Sequence, residues 1–291
     1  MFRISFCLLS VLILVFSCNS PNSRKQTDQI FNGSTDPSLQ GDPYEVIYSL
    51  YLPTDVTHLF EETGTGFNPD LILPLERIPL YEDPGQMAIL IGALGVDLSY
   101  CKLFERAQEA AECYLQIELL ADKLGLPEEI FERSSTHLEE FINKPDSLTE
   151  LIEEVYRDVD AYFKSNNQES LASLSLLGGW LEAMYIGVRI FQDMEIIEMG
   201  DRILQQKFAL TSLSGILGSY QESLVVRHFM HPLNELRTLY DQVEIRYSRD
   251  GFTIEPGENV FRASVSEIIY QPKILDQICQ KVFQVREEII P

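Results

Sequence analysis

Two acidic residues interrupt stretches that are otherwise apolar: Asp97 in PGQMAILIGALGVDLSY (Pro84 to Tyr100), and Glu182 in SLASLSLLGGWLEAMYIGVRIFQD (Ser170 to Asp193). A carboxylate in such a setting either has a hydrogen-bonding or charged partner or is placed to meet a ligand, because unpaired burial of a charge is costly. On a helical projection Gly95, Ser99, Lys102 and Arg106 fall about 140 to 200° from Asp97, while Leu90, Ala93, Tyr100 and Phe104 lie nearer its own side. Asp97 is therefore expected to face the core, with Tyr100 one turn along. It reads as a satisfied structural acid, and the competing reading is a ligand-binding or metal-coordinating acid. Glu182 projects differently, within about 20° of Ser175, Arg189 and Asp193. This narrow polar stripe reads as a solvent-facing strip. The alternative is the lining of an interior cleft, with Tyr185 and Arg189 beside it.

His228-Phe229-Met230-His231 supplies a histidine pair spaced i, i+3, which on one helix could chelate a metal. Pro232 disfavours helical geometry at the residue before it, so the pair is expected to straddle a helix boundary and to be a weak metal candidate. The four histidines, His58, His137, His228 and His231, form no nucleophilic arrangement, and neither Gly-x-Ser-x-Gly nor His-Glu-x-x-His occurs. The glycines make no phosphate loop. No cofactor is implied by these patterns.

These residues must be positioned by helices. Asp83-Pro84-Gly85-Gln86 is a helix start, with Asp at the N-cap, Pro at the first helical position and Gln completing a capping box. Helical patterns follow from Met87 to about Phe104 and from Glu105 to Leu124, as one bent helix or as a hairpin. Further helices are expected over Pro127 to Asn143, from the Ser147-Leu148-Thr149-Glu150 capping box to about Lys164, over Ser170 to Asp193 and over Glu195 to Tyr220. Two more run from Pro232 to about Tyr247 and from Ile274 to Ile289. A short hairpin across Phe252 to Val265 is the one expected β element. Pro43 to Leu52 and Thr54 to Glu62 read as short helices, and Thr63 to Asp83 as an irregular Pro/Gly-rich arm lying against the helices. The fold class is all-α, a multi-helix bundle of antiparallel helical pairs. Arg106 to Leu126 has the small-and-aromatic look of a tetratricopeptide helix pair, but no 34-residue period supports a repeat array. Glycines inside three helices (Gly92/Gly95, Gly178-Gly179 with Gly187, Gly215/Gly218) each cost up to about 1 kcal/mol relative to Ala, and close helix approach is the expected compensation.

The 291 residues carry 22 basic and 45 acidic side chains, a formal charge of -23 that argues against nucleic acid and against an anionic lipid surface as partners. Met1-Phe2-Arg3 makes a basic n-region, Ile4 to Val15 an apolar h-region, and Val15-Phe16-Ser17-Cys18 a small-residue cleavage site. The last four residues resemble the lipobox of bacterial lipoproteins, in which the cysteine becomes the first mature residue and carries the lipid, acyl chains such as palmitate. The alternative is an ordinary secreted protein. The resemblance implies a signal peptide over 1–17, a lipidated tether over 18–42 and a single helical domain over 43–291. By the same resemblance to envelope lipoproteins, Asn19 after the cysteine implies the outer membrane and the lack of an acidic run implies the periplasmic face. The remaining cysteines, Cys101, Cys113 and Cys279, show no Cys-x-x-Cys spacing and are expected to be buried, inert thiols.

Pro84 to Tyr100, together with GGWLEAMYI at Gly178 to Ile186, resembles a group of functionally uncharacterised helical lipoproteins of Bacteroidota-type cell envelopes. The resemblance implies an all-α lipoprotein and transfers no residue roles. The functional expectation is an envelope lipoprotein acting as a non-enzymatic binding or scaffold module. It would meet the membrane through the lipid on Cys18 and take an envelope protein or small ligand as partner. The rival is an enzyme or metal- or ligand-binding protein with a cleft lined by Asp97 and Glu182.

Overall fold

Helix α1, Pro84–Leu103, begins as its sequence dictates: the Asp83 carboxylate accepts the Gln86 N–H at 2.9 Å, and Pro84 occupies the first turn, where a missing N–H costs nothing. The computed structural model describes residues 66–131, 157–159, 161–194, 196–254 and 261–289. The helices expected over Pro43 to Leu52 and Thr54 to Glu62, most of that over Pro127 to Asn143 and the first part of that from Ser147 to about Lys164 lie outside them. Every residue from Met87 to Leu98 is buried, so α1 is covered on all sides rather than along one stripe.

At its end Glu105 takes a left-handed φ of 54°, with Arg106 N–H donating to the Cys101 carbonyl (2.8 Å) and Glu105 N–H to that of Lys102 (3.0 Å). This is a Schellman cap. It settles the open question at this point: the chain reverses into a separate helix α2, Ala107–Lys123, and the two form a hairpin. Arg106 to Leu126 is thus a cap and one helix, not a helix pair. The same cap recurs at Gly125 (φ 77°), with Leu126 N–H on the Ala121 carbonyl, and at Asn167 (φ 57°), with Gln168 N–H on that of Phe163. After Pro127 only a 3₁₀ turn, Glu128–Ile130, is described before residue 132.

Residues 157–159 and 161–165 are helical and bury Val159 and Phe163. The chain then enters the longest helix, α3, Glu169–Met194, buried without interruption from Ser173 to Met184. Among the described elements, helices α1 and α3 pack against each other more extensively than any other pair. Both are long and apolar enough to cross a membrane, but 78% and 83% of their most apolar windows are buried inside the fold, as in core helices.

The expected helix over Glu195 to Tyr220 is two, α4 (Ile197–Gln205) and α5 (Lys207–Gly218). They meet at Gln206, whose side-chain oxygen accepts the buried Trp180 indole N–H at 3.3 Å. Helix α6, Leu224–Tyr240, is capped by Ser223 and runs straight through Pro232. A boundary at His231 was expected; the helix instead forfeits the one hydrogen bond that residue 232 would have donated to the carbonyl of His228, an exposed residue. It also stops at Tyr240 rather than near Tyr247, because Glu244 onwards is strand. The hairpin is longer than expected: β1 (Glu244–Ile254) pairs antiparallel with β2 (Phe261–Ile269), with irregularities on either side of Tyr247. The final helix, α7, Pro272–Ile289, buries Ile274, Ile278, Val282 and Val285 along one stripe. The fold is a helical bundle with one two-stranded ribbon.

Ahead of α1 lies the irregular arm, which packs on the helices through Leu71, Leu73 and Ile78. Its two 3₁₀ turns, Pro69–Leu71 and Leu75–Leu80, are tied down by Tyr100, whose hydroxyl accepts the Asn68 N–H at 3.1 Å. Lys123 adds a second tie by donating to the Pro79 (2.6 Å) and Tyr81 (3.2 Å) carbonyls.

Close approach accounts for two of the buried glycines. A Cβ on Gly92 would sit 1.8 Å from the Ser175 carbonyl oxygen, and one on Gly178 would sit 1.9 Å from that of Ile89. The α1 and α3 backbones touch at this crossing. Gly218 differs, meeting nothing nearer than the Gln221 side-chain nitrogen at 3.8 Å, so helix approach does not explain it. Gly92→Ala and Gly178→Ala are expected to cost about 3 kcal/mol or more each, by backbone displacement. Gly218→Ala should be neutral or stabilising by up to about 1 kcal/mol. Denaturant midpoints of the three variants check this; equal effects at the three sites would refute the contact.

Candidate functional site

Asp97 is fully buried on α1. One oxygen, Oδ2, accepts the N–H of Leu73 from the arm at 2.9 Å; the other, Oδ1, has no hydrogen-bond partner. Burial pushes the pKa of its carboxyl well above the usual carboxylate range, and the nearby Glu182 carboxylate adds to the rise. The Leu73 N–H and the Arg286 guanidinium oppose it without cancelling it.

Glu182 is also fully buried, which corrects the expectation of a solvent-facing strip. Ser175 is buried too and Arg189 is half-buried, and the stripe becomes fully exposed at Asp193, its far end. The reason for the burial is Arg286 on α7. Its Nε and Nη2 donate to Glu182 Oε2 (3.1 Å) and Oε1 (3.0 Å), a fork-to-fork pair that satisfies both carboxylate oxygens. Burial raises the Glu182 pKa more than the pair with Arg286 lowers it. For Arg286 burial works against the charge, yet the Glu182 carboxylate more than compensates and holds the guanidinium charged.

Tyr185 and Arg189 extend this cluster. The Arg286 guanidinium lies 4.5 Å from the Tyr185 ring centroid, Tyr185 meets Phe283 edge-on at 5.7 Å, and the Arg189 guanidinium lies 6.0 Å from the Phe283 ring. Cations over aromatic faces gain about 0.5–2 kcal/mol each, depending on exposure. Tyr100 points elsewhere. Its hydroxyl serves Asn68, and its ring packs at 5.4 Å from Phe67 and 5.1 Å from Phe104.

The structure therefore brings together Asp97, Glu182, Tyr185 and Arg189 around a residue that sequence reasoning missed. Arg286 lies 104 residues from Glu182, and a local projection cannot pair them. One signal was readable: Arg286 falls four residues after Val282 and eight after Ile278, on the apolar stripe of α7, where an unpaired base is out of place.

His228 and His231 share one continuous helix and are both exposed. His228 packs edge-on against Phe229 at 5.0 Å, and His231 Nδ1 lies 4.0 Å from a Glu235 carboxylate that also pairs with Lys281. Among the described residues no group of three or more His, Cys, Asp or Glu is placed to hold a metal.

Cys101, Cys113 and Cys279 are free and buried. The α1–α2 hairpin brings Cys101 and Cys113 into hydrogen-bond contact, whereas one continuous helix would have held them about 18 Å apart. That contact and burial push the Cys113 thiol far up, and burial lifts Cys279 to about 12, so the reactive thiolate is suppressed in both.

Arranged this way, the Glu182–Arg286 pair locks α7 onto α3. Glu182→Gln and Arg286→Met are each expected to cost about 3–5 kcal/mol, because each strands the other partner in a dry site. The double variant should recover a large part of that loss. A double-mutant cycle by denaturant unfolding measures it; singles that cost under about 1 kcal/mol would show that water reaches the pair.

Comparison of the chain with known proteins finds no matching family model, no matching curated protein and no matching solved structure.

Proposed function

We propose that the chain is a bacterial envelope lipoprotein, anchored by lipid on Cys18, whose helical domain is a non-enzymatic binding or scaffold module. The observation that carries the reading is the run from Met1 to Cys18: a basic n-region, a short apolar segment and a cysteine at the cleavage position. Residues 19–42, rich in Asn, Ser, Gln, Gly and Pro, serve as a tether that holds the domain away from the bilayer. The protein faces the periplasm from the outer membrane, and its partner is an envelope protein or a small ligand.

Two features of the domain support a scaffold over an enzyme. Both Glu182 oxygens are engaged by Arg286 and so bind the fold together rather than face a substrate. The Cys113 and Cys279 thiols are held protonated by their surroundings. One observation favours the rival reading of a ligand site at Asp97 and Glu182, namely the unpartnered Oδ1 of Asp97.

Mass spectrometry of the wild type and Cys18→Ala, expressed in a bacterial envelope, tests the anchor. The expected wild-type product begins at Cys18, carries acyl chains and fractionates with the outer membrane. Cys18→Ala is expected to lose the lipid and leave that fraction. A mature wild-type chain without lipid would refute the lipoprotein reading.

A further inference from the structure

The unpartnered oxygen of Asp97 can be set against the charged and titratable groups around it among the described residues. From α3 comes the Glu182 carboxylate; from α7 comes the Arg286 guanidinium, with Nε and Nη2 both committed to Glu182. On α1 itself stand the Cys101 thiol and Tyr100, whose hydroxyl oxygen accepts the Asn68 N–H, and from α2 comes the Cys113 thiol. The arm contributes only the Leu73 N–H, and that goes to Oδ2. Among the described residues the cluster thus has one cation for two carboxylates. Glu182 and Arg286 neutralise each other, so an ionised Asp97 would leave one net negative charge inside a fully buried core. A neutral carboxyl with one free oxygen costs far less than a buried anion with one free oxygen.

We propose that Asp97 holds a proton in the folded protein at neutral pH, so that assembly of the α1–α3–α7 core takes up one proton from solution. The proton fills the place that a cationic ligand would take on the rival reading. The position of Asp97 makes it more than a local detail, because its other oxygen fastens the arm to the core through Leu73. Burial and the Glu182 charge both act in the same direction on this carboxyl.

The sign of the linkage follows. The folded state binds this proton more tightly than the unfolded chain, whose Asp releases it near pH ~3.9. The stabilisation is full below that pH and is lost as pH rises through the folded-state value. Glu182, also shifted upward, contributes with the same sign, so the Asp97 share must be isolated by substitution.

The test compares the full-length wild type with Asp97→Asn, a neutral near-isostere. Denaturant unfolding between pH 6 and 8 should show the wild-type folding constant falling with pH more steeply than that of the variant, by up to about tenfold per pH unit. Infrared difference spectra of protein labelled with ¹³C at Asp carboxyls should show a protonated-acid C=O band at pH 7 that is missing from Asp97→Asn. Parallel pH profiles would overturn the proposal. So would the absence of a protonated Asp band from the wild type at pH 7, and that measurement stands even if Asp97→Asn does not fold.

Discussion

The contact between the α1 and α3 backbones at Gly92 and Gly178 is the constraint on which the rest of the structure depends. With no Cβ at either position, a carbonyl of each helix occupies the space where the other's side chain would be. Such an approach excludes water along the crossing and buries both helices over three turns or more. The cost of glycine in a helix, about 1 kcal/mol each, is offset by the packing that the approach allows. Asp97 lies five residues beyond one glycine and Glu182 four beyond the other, so both acids are carried into the dry region by the same contact. Their chemistry is a consequence of helix packing.

From that point the remaining elements act as suppliers of partners. The arm brings the Leu73 N–H to Asp97, and α7 brings a guanidinium to Glu182. Each carboxylate thereby recruits a different distant segment, one before α1 and one after β2. A buried ion pair adds little net stability over a well-packed apolar pair. Its effect here is on placement: α7 can rotate or slide against α3 only by breaking a two-bond fork and lifting Arg286 off the Tyr185 ring.

What could be read from the sequence is what local physics decides. The Asp83-Pro84 start, the glycine crossing and the inward face of Asp97 all follow from capping, steric or periodic rules that need only neighbours in sequence. Glu182 was misread because a charged stripe on one projection looks the same whether it meets water or a guanidinium from another helix. The strand from Glu244 was misread because Leu236, Leu239, Tyr240 and Val243 carry a helical spacing to its edge, and the alternation of Glu244-Ile245-Arg246-Tyr247 is too short to outweigh it. Pro232 was given too much weight: the bond it removes belongs to an exposed residue, and tertiary packing of Val226, Phe229, Leu233 and Leu236 outweighs the loss.

The glycine crossing also bears on ancestry. Where side chains meet, substitution on one helix can be answered by substitution on the other, and the residues drift together. Where backbone meets backbone there is nothing to exchange: any descendant that keeps this crossing keeps glycine at both points, however far the rest has diverged. Gly92 and Gly178, with an acid one turn beyond each, therefore form a sparse structural fingerprint. Such a fingerprint outlasts overall sequence likeness and gives distant versions of this fold a means of being recognised.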